Sequence, residues 1–217
     1  PTVDCFEKKV AALEGGVMAV GTSSGQNANA LSIMNIARCG DHIVAVSSLY
    51  GGTVSLFSNT LKKTGINFTF ISPESIEAAI RPGTKALFAE MLANPALIVL
   101  DVEKFARVAH KHGIPLIVDN TFPTPYLCRP FDFGADIVTH STTKYLDGHA
   151  TSVGGMIVEK GGFDWRNGKF PEFVDPDESY HGTVYTRDFP AAPYSVKLRV
   201  QWIRDLGSGM APFNAFL

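Results

Sequence analysis

Seven short apolar runs punctuate this chain, at 17–22, 42–47, 67–71, 85–91, 114–119, 136–140 and 153–159. Each is nearly continuous in apolar side chains rather than alternating, so each reads as a strand that must be covered on both faces. Between them the apolar spacing is helical, predicting helices near 25–38, 52–63, 73–80 and 101–112. A first helix precedes them: Val3, Phe6, Val10 and Leu13 recur at helical spacing until Gly15-Gly16 ends it. Strands alternating with helices predict an α/β fold, a mainly parallel sheet of about seven strands flanked by helices.

Local signals sharpen the boundaries. Ser72-Pro73-Glu74 offers a capping hydroxyl, a proline at the first position and an early carboxylate. Asp101 is placed to cap the 101–112 helix and Gly113 to end it. Residues 160–194 break the pattern: Gly, Pro, Asp and aromatics dominate without a period, which predicts a long functional loop or excursion. The stretch 195–206 turns helical again, with Val196, Val200 and Ile203 on one face.

The 217 residues, 45% hydrophobic and 18% charged, suit one folded α/β domain rather than a disordered segment. A net charge of −2 with no basic stripe argues against nucleic acid and anionic membranes as partners. No apolar run reaches the roughly 18 residues that a membrane helix needs. Cys5, Cys39 and Cys128 are odd in number and far apart, which suits a reducing compartment and predicts a cytoplasmic protein. The chain opens at Pro1 without Met and stops in the apolar stretch 211–217, so both ends are expected to be cuts in a longer polypeptide.

In a parallel α/β sheet, ligands sit beyond the carboxyl ends of the strands. Five groups fall there: Ser24-Gly25-Gln26, Tyr50, Asn94, Asp119, and Ser141-Thr142-Thr143-Lys144. The first would present free amides and a helix dipole to a phosphate, or be a plain Ser-capped helix start. It matches neither the Gly-x-Gly-x-x-Gly nor the Walker A pattern. A carboxylate such as Asp119 at the end of a buried strand needs a cationic or hydrogen-bonding partner, and a protonated pyridine nitrogen would serve. A capping role or a metal would serve as well. Lys144 follows an apolar strand among small hydroxyl residues. A partly desolvated amine there suits covalent cofactor chemistry, although an ordinary surface lysine has the same local sequence. Tyr50 suits either stacking and proton transfer or a place in the core.

The histidines and cysteines predict no metal site. His110 and His112 are two apart and do not share a helical face, and the cysteines lack ligand spacing. His42 and His181 are expected to be structural.

Taken in order, these residues resemble the Cys/Met-metabolism pyridoxal-phosphate enzymes, which have the aspartate-aminotransferase-like fold, fold type I. The likeness is carried by Ser24-Gly25-Gln26, Leu49-Tyr50-Gly51-Gly52, Glu90 with Asn94-Pro95, Val118-Asp119-Asn120-Thr121, and Ser141-Thr142-Thr143-Lys144-Tyr145 with Gly148-His149. It covers essentially the whole chain as one cofactor-binding catalytic domain, 1–217. The resemblance implies pyridoxal 5′-phosphate as cofactor, attached covalently to Lys144. It further implies Asp119 at the pyridine nitrogen, and Gly25, Gln26, Ser141 and Thr143 at the phosphate. Tyr50 would stack on the ring and assist proton transfer, with Asn94 near the phenolic oxygen and Thr121 near the ring face.

Two stretches, 163–171 and 177–182, resemble the branch of the family that works on an acylated homoserine. That branch implies γ-replacement: O-acetyl-L-homoserine and sulfide give L-homocysteine and acetate. The sulfur could also arrive on a thiocarboxylated carrier protein. A homotetramer built from dimers is implied too. γ-Elimination from methionine, cystathionine formation, and a non-catalytic fragment are the alternatives. The family's N-terminal Tyr-x-Arg segment and C-terminal domain have no counterpart here, so a polypeptide limited to these residues is expected to be inactive. Ala150 stands where a glycine is expected, and Met91-Leu92 and Ala211 replace small or hydroxyl residues.

Overall fold

The computed structural model describes residues 1–217. All seven predicted strands form: β1 (Met18–Thr22), β2 (His42–Val46), β3 (Asn67–Ile71), β4 (Thr84–Glu90), β5 (Leu116–Asp119), β6 (Ile137–Ser141) and β7 (Gly155–Glu159). They make one sheet in the order β1-β7-β6-β5-β4-β2-β3. Strands β6, β5, β4, β2 and β3 run parallel, whereas β7 is antiparallel to both β6 and β1. The exception has a simple cause. A parallel return needs a long crossover, usually a helix, but residues 142–154 form a turn and loop, which lead only to an antiparallel neighbour. That turn carries Lys144.

Helix α1 (Thr2–Glu14) ends on Gly15 in the left-handed conformation. The predicted stripe is only partly right. Val10 is buried, but Leu13 is half exposed, while Glu7 and Glu14 are buried. Both carboxylates find partners inside, although the Glu14 Oε2 has none: Glu7 accepts from the Gly21 amide at 2.7 Å and pairs with Arg199 at 2.8 Å. Glu14 pairs with His140 at 2.6 Å and accepts from Asn120. Hydrophobicity alone could not reveal a face built on paired acids.

Helix α2 (Gly25–Met34) packs against β6 and β7. The predicted 52–63 helix is continuous but uneven: α3 (Gly51–Ser55) passes into a π turn at Leu56–Thr60 and a 3-10 turn at Leu61–Thr64. The predicted 73–80 helix shrinks to a 3-10 turn and the four-residue α4 (Ile76–Ala79). Ser72 does not cap it; its hydroxyl lies 3.4 Å from that of Ser75. By contrast Asp101 caps α5 (Val102–Lys111), accepting from the Lys104 amide at 3.0 Å, and Gly113 follows with φ +61°. His110 turns to Asp136, 2.9 Å away. His42 is buried between the hydroxyls of Thr84 and Thr69. No helix is long and apolar enough to cross a membrane.

Residues 160–194 are not a functional loop over the cleft. They fold into a packed aromatic layer in which Trp165, Phe170, Phe173, Tyr185 and Tyr194 are almost fully buried. Trp165 stacks on Phe173 and Tyr194, with centroids 4.5 and 5.5 Å apart. The layer joins the main core through α8 (Pro193–Lys197), whose first amides are received by the buried Glu159 at the end of β7.

Candidate active site

The carboxyl ends of β4, β5 and β6 open into a cleft of about 840 Å³. Every residue singled out by sequence lines it: Gly25, Gln26, Tyr50, Asn94, Asp119, Thr121, Ser141, Thr143 and Lys144. Residues spread over 120 positions of sequence meet because the parallel strands end at one level.

One wall is the start of α2. Ser24 has an extended backbone and its hydroxyl accepts from the Asn27 amide at 3.1 Å, so it is a true N-cap. The amides of Gly25 and Gln26 lie in the first turn, where N–H groups have no intrahelical acceptor. A Cβ added at Gly25 would stand 2.4 Å from the Ser141 Cβ. Only glycine lets the helix start touch the end of β6. Gln26 reaches Thr53 with its side-chain nitrogen at 3.4 Å and keeps a buried side-chain oxygen without a partner.

Asp119 lies at the end of β5 and receives three donors. Thr121 gives its amide at 3.0 Å and its hydroxyl at 2.5 Å to Oδ1, and Asn29 gives its side-chain amide to Oδ2 at 3.0 Å. Asn29 is itself held by the Thr139 hydroxyl at 2.6 Å. The Thr121 hydroxyl also accepts from the Ser141 amide at 2.8 Å, tying Asp119 to the lysine turn. The Thr143 hydroxyl is engaged by the backbone of Gly154, as donor at 3.2 Å and acceptor at 3.1 Å.

Lys144 sits in the turn after β6, held by Lys144 N–H to Ser141 carbonyl and Gly148 N–H to Lys144 carbonyl. Its side chain is exposed. The desolvation expected for it is not provided by these residues. Ala150, in the same turn region, has φ +56°, which explains why a glycine was expected there. Tyr50 is 50% exposed at the opposite rim, and a Cβ on Gly52 would stand 2.4 Å from its ring.

Sequence reasoning missed one support, Asn29, and gave no role to another, Glu90. Asn29 is buried and orients Asp119; it lies four residues after Gly25, hence on the same helical face, which is the signal that could have found it. Glu90 ends β4 directly in register with Asp119 and accepts the Tyr50 amide at 2.7 Å. Burial, then the negative charge of Asp119, push its carboxyl up to about 7, against the pull of the Tyr50 and Asn94 amides.

A mostly parallel seven-stranded sheet with a lysine turn and a donor-held aspartate at its carboxyl-end cleft defines the fold type I class of pyridoxal-phosphate-dependent enzymes. The family model described as Cys/Met metabolism PLP-dependent enzyme matches residues 1–217, and the chain belongs to that family. It is 48% identical to an O-acetyl-L-homoserine sulfhydrylase from Leptospira meyeri, covering 100% of this chain and 51% of that one. It is also 48% identical to a homocysteine synthase from Schizosaccharomyces pombe, covering 100% and 52%. The chain thus spans about half the length of these curated relatives. Among solved structures, a candidate O-acetylhomoserine (thiol)-lyase from Campylobacter jejuni superposes with a TM-score of 0.95 at 38% identity, covering 100% of this chain and 55% of that one. That structure contains a pyridoxyl-lysine monophosphate. An O-acetylhomoserine sulfhydrylase from Wolinella succinogenes, solved in a study of sulfur transfer in methionine biosynthesis, gives 0.87 at 34%, covering 100% and 60%.

Proposed function

We propose that residues 1–217 form the cofactor-binding catalytic domain of an enzyme that converts O-acetyl-L-homoserine and sulfide to L-homocysteine and acetate. The observation that carries this is the meeting of Lys144 and a donor-held Asp119 in one cleft beside a free helix start. The names of relatives at 48% identity supply the substrate class.

The residues suit pyridoxal phosphate. Gly25 and Gln26 offer two uncommitted amides at the positive end of α2. Ser141 borders them, and Thr143, although engaged with Gly154, lines the same wall. Asp119 would face the ring nitrogen and favour its protonated form. When bound, the cofactor supplies the electron sink that makes the substrate's Cα and Cβ protons removable.

The chain's own side chains do the rest. Lys144 would hold the cofactor covalently, and its freed amine would move the Cα and Cβ protons. Tyr50, at the rim, covers the ring face and assists that transfer. Asn94 would stand near the phenolic oxygen, and Thr121 keeps Asp119 fixed. Sulfide then takes the Cγ position that acetate leaves. We read the working form as a cytoplasmic homotetramer built from dimers. The exposed Tyr126, Leu127 and Tyr145 favour burial against another subunit, which would also desolvate Lys144.

Homocysteine formation is the deciding assay, run with O-acetyl-L-homoserine and either sulfide or a thiocarboxylated carrier protein as donor. Homocysteine and acetate in equal amounts, lost in Lys144→Ala, are expected. Release of a keto acid and ammonia instead, or turnover of O-acetyl-L-homoserine only when cysteine replaces sulfide, giving cystathionine and acetate, would replace this reading with elimination or cystathionine formation.

A further inference from the structure

Glu90 takes no part in the chemistry just described, yet it is the most deeply placed carboxyl of the cleft. It is 7% exposed, and Glu90 and Asp119 are directly paired across β4 and β5. Paired positions on neighbouring strands project to the same face, so two acids share one low-dielectric wall. The cost is offset unequally. Asp119 has three donors from Asn29 and Thr121. Glu90 has one, the Tyr50 amide at 2.7 Å. That amide belongs to the segment that carries Tyr50 into α3.

We propose that Glu90 is a positioning residue: its carboxylate clamps the Tyr50 segment, and a cation held by Asp119 tightens that clamp by relieving the repulsion between the two acids. The inference rests on the cofactor reading above. It adds a coupling: filling the ring-nitrogen position fixes the tyrosine that covers the ring. A charge-assisted hydrogen bond is about twice as strong as a neutral one, so the clamp is strong only when Glu90 is ionised. The other ionisable groups facing this cleft are Asp119, Tyr50, Lys144, Tyr145 and His149. Of these, Asp119 is the one paired with Glu90 in register.

Hydrogen exchange at the Tyr50 amide, with and without pyridoxal phosphate, reads the coupling directly. In the wild-type protein at pH 6, where Glu90 is mostly protonated without the cofactor, the cofactor should slow exchange at that amide by up to about tenfold, the worth of one charge-assisted bond. In Glu90→Gln the cofactor should still bind Lys144, but the extra protection should vanish. Glu90→Asp, which keeps the charge on a shorter arm, should restore part of it. Should Glu90→Gln fail to fold, the wild-type protein suffices: at pH 8.5, where Glu90 is ionised with or without the cofactor, the cofactor-dependent protection, after correction for intrinsic exchange, should be lost. Equal protection in wild type and Glu90→Gln, or in wild type at both pH values, overturns the clamp. Failure of the wild-type protein to bind pyridoxal phosphate at all overturns the cofactor reading instead, so the two failures are distinct.

Discussion

Asp119 shows how an acid at a strand end is aimed. Its Oδ1 is fixed by the two donors of Thr121 and its Oδ2 by Asn29, which is locked in turn by Thr139. Removing Asn29 leaves the Thr139 hydroxyl and one carboxylate oxygen without their partners. Asn29→Ala should therefore weaken cofactor affinity by about tenfold, the worth of roughly 1–3 kcal/mol for an unsatisfied buried group; a pyridoxal-phosphate titration measures it. At Ala150 the left-handed backbone strains an L side chain. Ala150→Gly should raise unfolding free energy by about 1 kcal/mol in denaturant melts, because the strain outweighs the added chain entropy. Glu159 is a third case. Burial pushes its carboxyl up to about 7, even though the Ser195 and Tyr194 groups draw it down. Its protonated form is favoured by folding, so its contribution is complete below the ordinary value of 4.5 and is lost as pH rises through about 7. Glu159→Gln should flatten that part of the stability–pH curve.

At the level of elements, the strands were legible because their apolar runs are long relative to their turns, and all seven fall within two or three residues of expectation. The site was legible for the same reason: once strand ends are known, the polar residues beyond them converge. What escaped was governed by pairing rather than hydrophobicity. Glu7 and Glu14 hide in α1 because Arg199, His140 and a backbone amide meet them from distant segments. Residues 160–194 have no period because their order comes from aromatic stacking between irregular turns, as Trp165 on Phe173 and Tyr194 shows. Ser72-Pro73-Glu74 has the composition of a helix start, but the segment has only Ile76 buried and no stripe to hold a longer helix. The aromatic layer yields a prediction of its own. Trp165 is 2% exposed and does not line the cleft. Trp165→Ala should cost about 3–5 kcal/mol of stability, while protein that remains folded binds pyridoxal phosphate with wild-type affinity.

For the whole molecule, one sheet does two tasks. Its interior, with Ile117, Val118, Ile137 and Val138 fully buried, supplies the core. Its carboxyl edge holds α2, β5 and the lysine turn at fixed spacing. Gly25 is the contact point between these parts, since any larger residue meets Ser141. Lys144 is left open to solvent at the mouth of the cleft. The account therefore turns on whether that amine, and no other, takes the cofactor. The direct measurement is to load the protein with pyridoxal phosphate, reduce with borohydride and map the modified peptide by mass spectrometry. A single phosphopyridoxyl group on Lys144, absent from Lys144→Ala, is the predicted result. Modification centred on another lysine, or a reduced adduct that persists in Lys144→Ala, would contradict it.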